Sequence, residues 1–101
     1  MALPDFEGMA MFAKVAEERS FARAAKVLGL SVATVSRGVG RLEERLGGRL
    51  FNRTSRQLSL TDFGRGLAER ASRLYCDATE IEHAARETAS HPRGLIRLAA
   101  P

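Results

Sequence analysis

The sequence predicts a mainly α-helical fold: a three-helix core, a small β-hairpin and then one long helix. Three observations lead there. Up to Leu46 apolar residues recur at three-and-four spacing, the period of helices that bury one face. Ser20, Gly29, Ser31 and Gly47 punctuate that pattern with residues that start and stop helices. Beyond Thr61 the apolar positions step by alternating fours and threes as far as Thr88, a seam too regular for a loop.

A chain of 101 residues has room for one small core and one appended element. The single cysteine, Cys76, excludes an internal disulfide framework, and no Cys/His cluster has metal-ligand spacing, so neither metal nor cofactor is expected. The opening MALPDFEGMAMFAKVAEE carries no basic leader, and Lys14 breaks its short apolar run. The expectation is a soluble cytoplasmic protein without a membrane span. The formal charge is +4, yet residues 19–56 hold nine basic groups against only Glu43 and Glu44, a local +7 over a remainder of −3. Such an excess fits a polyanion partner, though a solvated arginine face is its plainer reading.

Phe6, Met9, Phe12, Ala13 and Ala16 place a first helix over about 5–18 with one buried face. Ser20 then caps a second, carrying Phe21, Ala24, Ala25 and Leu28 inward to a left-handed stop at Gly29. Leu30 is expected to plug the turn, and Ser31 caps a third helix whose inner stripe is Val35, Val39, Leu42 and Leu46. RLFNRTSRQLSLT alternates Leu58 and Leu60 around a polar tip with arginines, which reads as a hairpin. Thr61 and Asp62 open the long helix, which His91, Pro92, Arg93 and Gly94 end. LIRLAAP reads as a strand whose partner is elsewhere, the first of a missing domain; a disordered tail is the other reading. The expected organisation is thus 1–60, 61–90 and 91–101.

Two short helices joined by a tight turn make a helix-turn-helix, whose second helix fits a DNA major groove. With Val35 inward, Ala33, Ser36, Arg37, Gly40, Arg41 and Glu44 point outward and Thr34 flanks them. Arg37 is central to that face, where its fork suits guanine or a phosphate. The Ser31 hydroxyl and nearby N–H groups suit a phosphate.

The run SFARAAKVLGLSVATVSRGVGRLEERLGGRLFNRTSRQLSLTDFG closely resembles the N-terminal DNA-binding region of LysR-type transcriptional regulators. The shared pattern comprises Ser20, Phe21, Ala24, Ala25, Leu28, Ser31, Ser36, Arg37, Leu42, Glu43, Leu46, Gly47, Leu50, Phe51, Arg53, Arg56, Leu60, Thr61 and Gly64. The resemblance implies a winged helix-turn-helix, a long linker helix that pairs two subunits, and a C-terminal effector domain that senses a small molecule. It makes Ser36 and Arg37 base-contacting residues, Ser31 a phosphate-facing cap, and Arg53 and Arg56 wing arginines on the backbone or minor groove. Val32 stands where a glutamine is frequent in the family, and fits a thymine methyl rather than a bidentate adenine contact.

The expected DNA-binding set is therefore Ser31, Val32, Ala33, Thr34, Ser36, Arg37, Gly40, Arg41, Arg53 and Arg56, with a recognition helix at about 31–46 and a wing at about 49–60. Arg41, Arg45 and Arg49 read equally well as solvated surface. The expected dimerisation set is Leu67, Ala71, Leu74, Ala78, Ile81 and Ala85, because a helix from Thr61 to about Ser90 would run roughly 45 Å, further than a three-helix core can cover. The expected partners are double-stranded DNA with an interrupted inverted repeat and a second copy of the chain, with a higher oligomer open to the parent. A small-molecule effector enters only with the missing domain. A helix-turn-helix that docks an acidic protein is the rival reading. His83 and His91 are isolated and no catalytic arrangement is found, so an enzyme is not expected. Gly38 and Gly40 each cost the third helix about 1 kcal/mol relative to alanine. Gly40, facing outward, suits close approach to the groove wall; Gly38, on the flank, fits relief of crowding or simple tolerance, with tolerance favoured.

Overall fold

The computed structural model describes residues 3–53 and 57–90. The wing tip with Arg56, and the expected hinge and strand at 91–101, lie outside the described residues. Four helices and one two-stranded antiparallel sheet follow in order: α1 (Phe6–Glu18), α2 (Phe21–Leu28), α3 (Val32–Leu46), β1 (Phe51–Asn52), β2 (Ser59–Leu60) and α4 (Asp62–Ser90).

Each helix starts where a side chain replaces a missing backbone acceptor. Asp5 accepts from the Gly8 N–H, Ser20 from Arg23 and Ser31 from Thr34. Gly29 (φ 70°) and Gly47 (φ 82°) end α2 and α3 in the left-handed region, which glycine enters without a Cβ penalty. The Leu30 N–H reaches the Ala25 carbonyl at 2.9 Å and so closes the α2 stop. Its side chain does not plug the turn, however; it is 40% exposed.

The core comprises Met11, Phe12, Ala13 and Val15 of α1, Ala24 and Ala25 of α2, Val35, Val39 and Leu42 of α3, then Leu50, Phe51 and Ala71. The large fully buried side chains among these each contribute about 1.5–3 kcal/mol of burial. Phe51 meets Phe12 and Phe21 edge to face, at 5.6 and 5.8 Å between centroids. The buried face of α1 is rotated from the expected one. Gly8, Met11, Phe12 and Val15 form its centre, Ala13 is buried as expected, Met9 and Ala16 lie at its margin, and Phe6 is half exposed. The reason is that α1 contacts α2, α3 and α4 at once, so its apolar arc is wide, and Phe6 lies outside that arc. Leu46 likewise lies at the rim of the core, 38% exposed.

Thr61 joins the hairpin to α4. Its N–H donates to the Leu50 carbonyl at 3.0 Å, and its hydroxyl donates to the Arg49 carbonyl while accepting the Gly64 N–H at 2.9 Å. Gly64 is required there, because a Cβ would fall on the Leu50 carbonyl oxygen. The first turns of α4 then pack on α1, and the rest projects, giving principal extents of 58 × 31 × 20 Å.

That packing revises the seam. Ala71 is 7% exposed and packs in its own core, while Leu67 is half buried there and also lines an open apolar cleft with Leu74. Leu74, Ala78, Ile81 and Ala85 are exposed, with Ile81 at 70%.

Candidate nucleic-acid interface

Ser31, Val32, Ala33, Ser36, Arg37 and Arg41 are all exposed on α3, and Thr34 is half buried. Small side chains at the first turns and arginines one and two turns later leave an unobstructed face. Ser31 is more constrained than expected: its hydroxyl accepts the Thr34 N–H at 3.1 Å and donates to the Thr34 hydroxyl at 2.9 Å. A phosphate there would have to turn that proton.

An open groove of about 800 Å³ runs from this face toward the hairpin, with Arg37, Gly40, Arg41, Arg49 and Arg53 among its lining residues. Two carboxylates organise its arginines, and neither is among the expected site residues. Glu43, 6% exposed, accepts the Leu50 N–H on Oε2 at 2.8 Å and the Arg53 guanidinium on Oε1 at 3.1 Å. Arg53 also lies over the Phe21 ring, 5.4 Å from its centroid. The expected wing arginine is therefore anchored inward as well as lining the groove, and its side chain is 31% exposed. An acidic residue beside inward-facing Leu42, in a stretch whose only acids are Glu43 and Glu44, was the available signal for this anchor.

Asp5 is the second carboxylate. Arg41 Nε donates to its Oδ2 at 3.0 Å and the Arg41 Nη2 group to its Oδ1 at 3.1 Å, while Oδ1 also caps α1. Arg45 donates to the Leu3 carbonyl, so residues 3–5 are strapped along the C-terminal half of α3. The Arg41 guanidinium holds the Asp5 carboxyl below its ordinary value of 3.8. The stabilisation is complete above that value and is lost as pH falls through the lowered pKa.

The two helix glycines differ. A Cβ on Gly40 would meet nothing within 4 Å, whereas on buried Gly38 it would run into Met11 Sδ. Crowding, rather than tolerance, is the reading the packing supports at Gly38. Gly40→Ala should raise stability by about 1 kcal/mol, the helix-interior difference between the residues. Gly38→Ala should show none of that gain, because displacing buried Met11 offsets it. Thermal melts of the two variants check this, and equal gains would refute the role of Met11.

Three helices with a hairpin after the third and an exposed second helix of the pair define a winged helix-turn-helix. Residues 6–65 match the family of bacterial regulatory helix-turn-helix proteins of the lysR type, and the chain belongs to that family. An HTH-type transcriptional regulator of Xanthomonas campestris pv. campestris is 42% identical over 97 residues, 96% of this chain and 28% of the relative. The regulator CrgA of Neisseria meningitidis serogroup C is 41% identical over 92 residues, 91% of this chain and 31% of the relative. The chain thus spans less than a third of each. Among solved structures, the BenM DNA-binding domain in complex with catB site 1 DNA superposes with a TM-score of 0.72 at 30% identity, covering 84% of this chain and 96% of that one. Among the described residues no helix is long and apolar enough to cross a membrane.

Proposed function

We propose that this chain binds promoter DNA as a homodimer, in the cytoplasm, to regulate transcription. The observation that carries the reading is the exposed α3 face of small residues and arginines, continuous with a groove toward the hairpin in which four arginines outnumber Glu43 and Glu44. In this reading α3 enters the major groove, with Ser36 and Arg37 on base edges, Ser31 through Thr34 at the entry, and Gly40 close to the groove wall. Arg41, Arg53 and Arg56 lie on the backbone or minor groove. Leu74 lines an apolar cleft of about 200 Å³ together with Met9, Leu46 and Leu67; Ala78, Ile81 and Ala85 follow it along α4, and a second copy covers this face. Two recognition helices then meet two half-sites about 34 Å apart or a multiple of it, which calls for an interrupted inverted repeat. Its relatives extend well beyond this region, and a small-molecule effector belongs to the parent only with an effector domain. A regulator family with a DNA-binding fold points to a binding protein rather than an enzyme.

Selection of duplexes from a random pool, followed by a salt titration against the selected and random duplexes, tests the reading. Salt-sensitive binding of both, with preference for the selected one, is expected. No binding to duplex, with capture of an acidic protein instead, would favour the docking module. Arg37→Ala should weaken binding to the selected duplex by about 1–3 kcal/mol and relax preference at one base pair, with little change in melting. Equal losses on selected and random duplexes would remove the base-reading role. Gly40→Ala should bind less tightly than the parent despite its higher stability; undiminished binding would remove the close approach.

A further inference from the structure

The clasp between Asp5 and Arg41 joins the start of α1 to the outward face of α3, across 36 residues of sequence. The Asp5 side chain is 8% exposed, whereas that of Arg41 is 53% exposed and lines the same groove as Arg37, Arg49 and Arg53. The contact uses one edge of the guanidinium, Nε with Nη2. A guanidinium has five N–H donors in a fixed planar fork, so the Nη1 edge remains directed away from the carboxylate. Arg41 follows Arg37 by four residues and shares its face. When the N-terminal turns of α3 contact bases, residues further along the helix lie over the groove rim, where the phosphates are.

We propose that Asp5 is a positioning residue for DNA binding: it holds one edge of Arg41 so that the other edge is preset for a backbone phosphate. The proposal rests on the DNA-binding reading and adds to it a residue that is itself too buried to touch DNA. A competing effect has the opposite sign. Asp5 carries a negative charge, and removing it raises the charge of a DNA-facing domain. At on the order of 7 Å and physiological salt, that repulsion changes affinity about 1.5-fold in bulk water and about fivefold at the effective dielectric of a protein surface. Ordering a free arginine at an interface costs about two- to tenfold in affinity. The two effects are comparable in size and opposite in sign, so the direction of the Asp5→Asn change separates them.

The test uses Asp5→Asn and Asp5→Ser, because both residues cap helices about as well as aspartate while neither provides a bidentate anion for Arg41. Binding of the 101-residue chain is measured on a duplex it has selected from a random pool and on random duplex, across salt, alone and combined with Arg41→Gln. Arg41→Gln should lower affinity on both duplexes and reduce the salt slope by about 0.9, one phosphate contact. Each Asp5 variant should lower affinity in the parent, leave it unchanged or raised once Arg41 is glutamine, and lower the melting temperature only modestly, through loss of the Asp5–Arg41 pair. Tighter binding by Asp5→Asn would overturn the proposal, since it would make Asp5 a brake on Arg41. So would equal losses with and without Arg41, which would mark a purely structural cap. If the parent bound no duplex the DNA-binding reading would fall and this proposal with it; if only the Asp5 variants were silent, the proposal alone would fall.

Discussion

Glu43→Ala is expected to destabilise the fold by about 2–3 kcal/mol. Glu43 is the only charged residue buried as a whole among those described, and both its carboxylate oxygens are occupied. Alanine leaves the Leu50 N–H without its acceptor and the Arg53 guanidinium without its anion. Breaking a buried pair costs roughly 3–5 kcal/mol, and the lower figure applies here because Arg53, 31% exposed on its side chain, regains water. Glu43→Gln retains an acceptor for Leu50 and should cost about 1 kcal/mol. Urea unfolding of both variants checks the order, and a Glu43→Ala loss below about 0.5 kcal/mol would show that Leu50 and Arg53 find other partners. DNA binding separates the anchor from the charge it holds. Arg53→Ala should reduce the salt slope on random duplex by about 0.9, whereas Glu43→Gln, which keeps the arginine, should leave the slope near the parent's.

The helices were legible because their ends are written in local chemistry. Ser20, Ser31, Gly29 and Gly47 act through bonds to residues at most five positions away, so spacing alone locates them. The rotation of α1 was not legible. Phe6 and Met11 have similar apolarity, and which of them is buried depends on where three other helices lie. The same holds for the two glycines, identical in sequence terms, of which only Gly38 faces Met11. For the candidate interface, the outward face of α3 followed from the helical period once Val35 was placed inward. The acids that organise the arginines did not, since the partners are 36 residues apart for Asp5 and Arg41 and ten for Glu43 and Arg53. Charge in that stretch could be counted from the sequence, but which arginines were already engaged required the fold.

Leu74→Glu combined with Ile81→Glu is expected to give a folded monomer whose affinity for a two-half-site duplex falls by about two to four orders of magnitude. Both positions are exposed, at 36% and 70%, so charge there should leave the core intact. The flanking pairs Arg73–Glu69 and Arg86–Glu82 lie on exposed positions of α4 and are untouched by the change. In a dimer, however, the two glutamates of each chain would face those of the other in an apolar seam, where unpaired charge is costly. A monomer forfeits the second binding event that a linked half-site supplies, and that event accounts for an affinity gain of roughly 10²–10⁴. Ala71→Glu is the contrasting variant: Ala71 is 7% exposed and belongs to the core, so it should lower the melting temperature as well. Sedimentation resolves the point. A dimer persisting in the Leu74 and Ile81 double variant would place the subunit contact on another face of the molecule, and a double variant that unfolded would move those two residues into the core with Leu67 and Ala71.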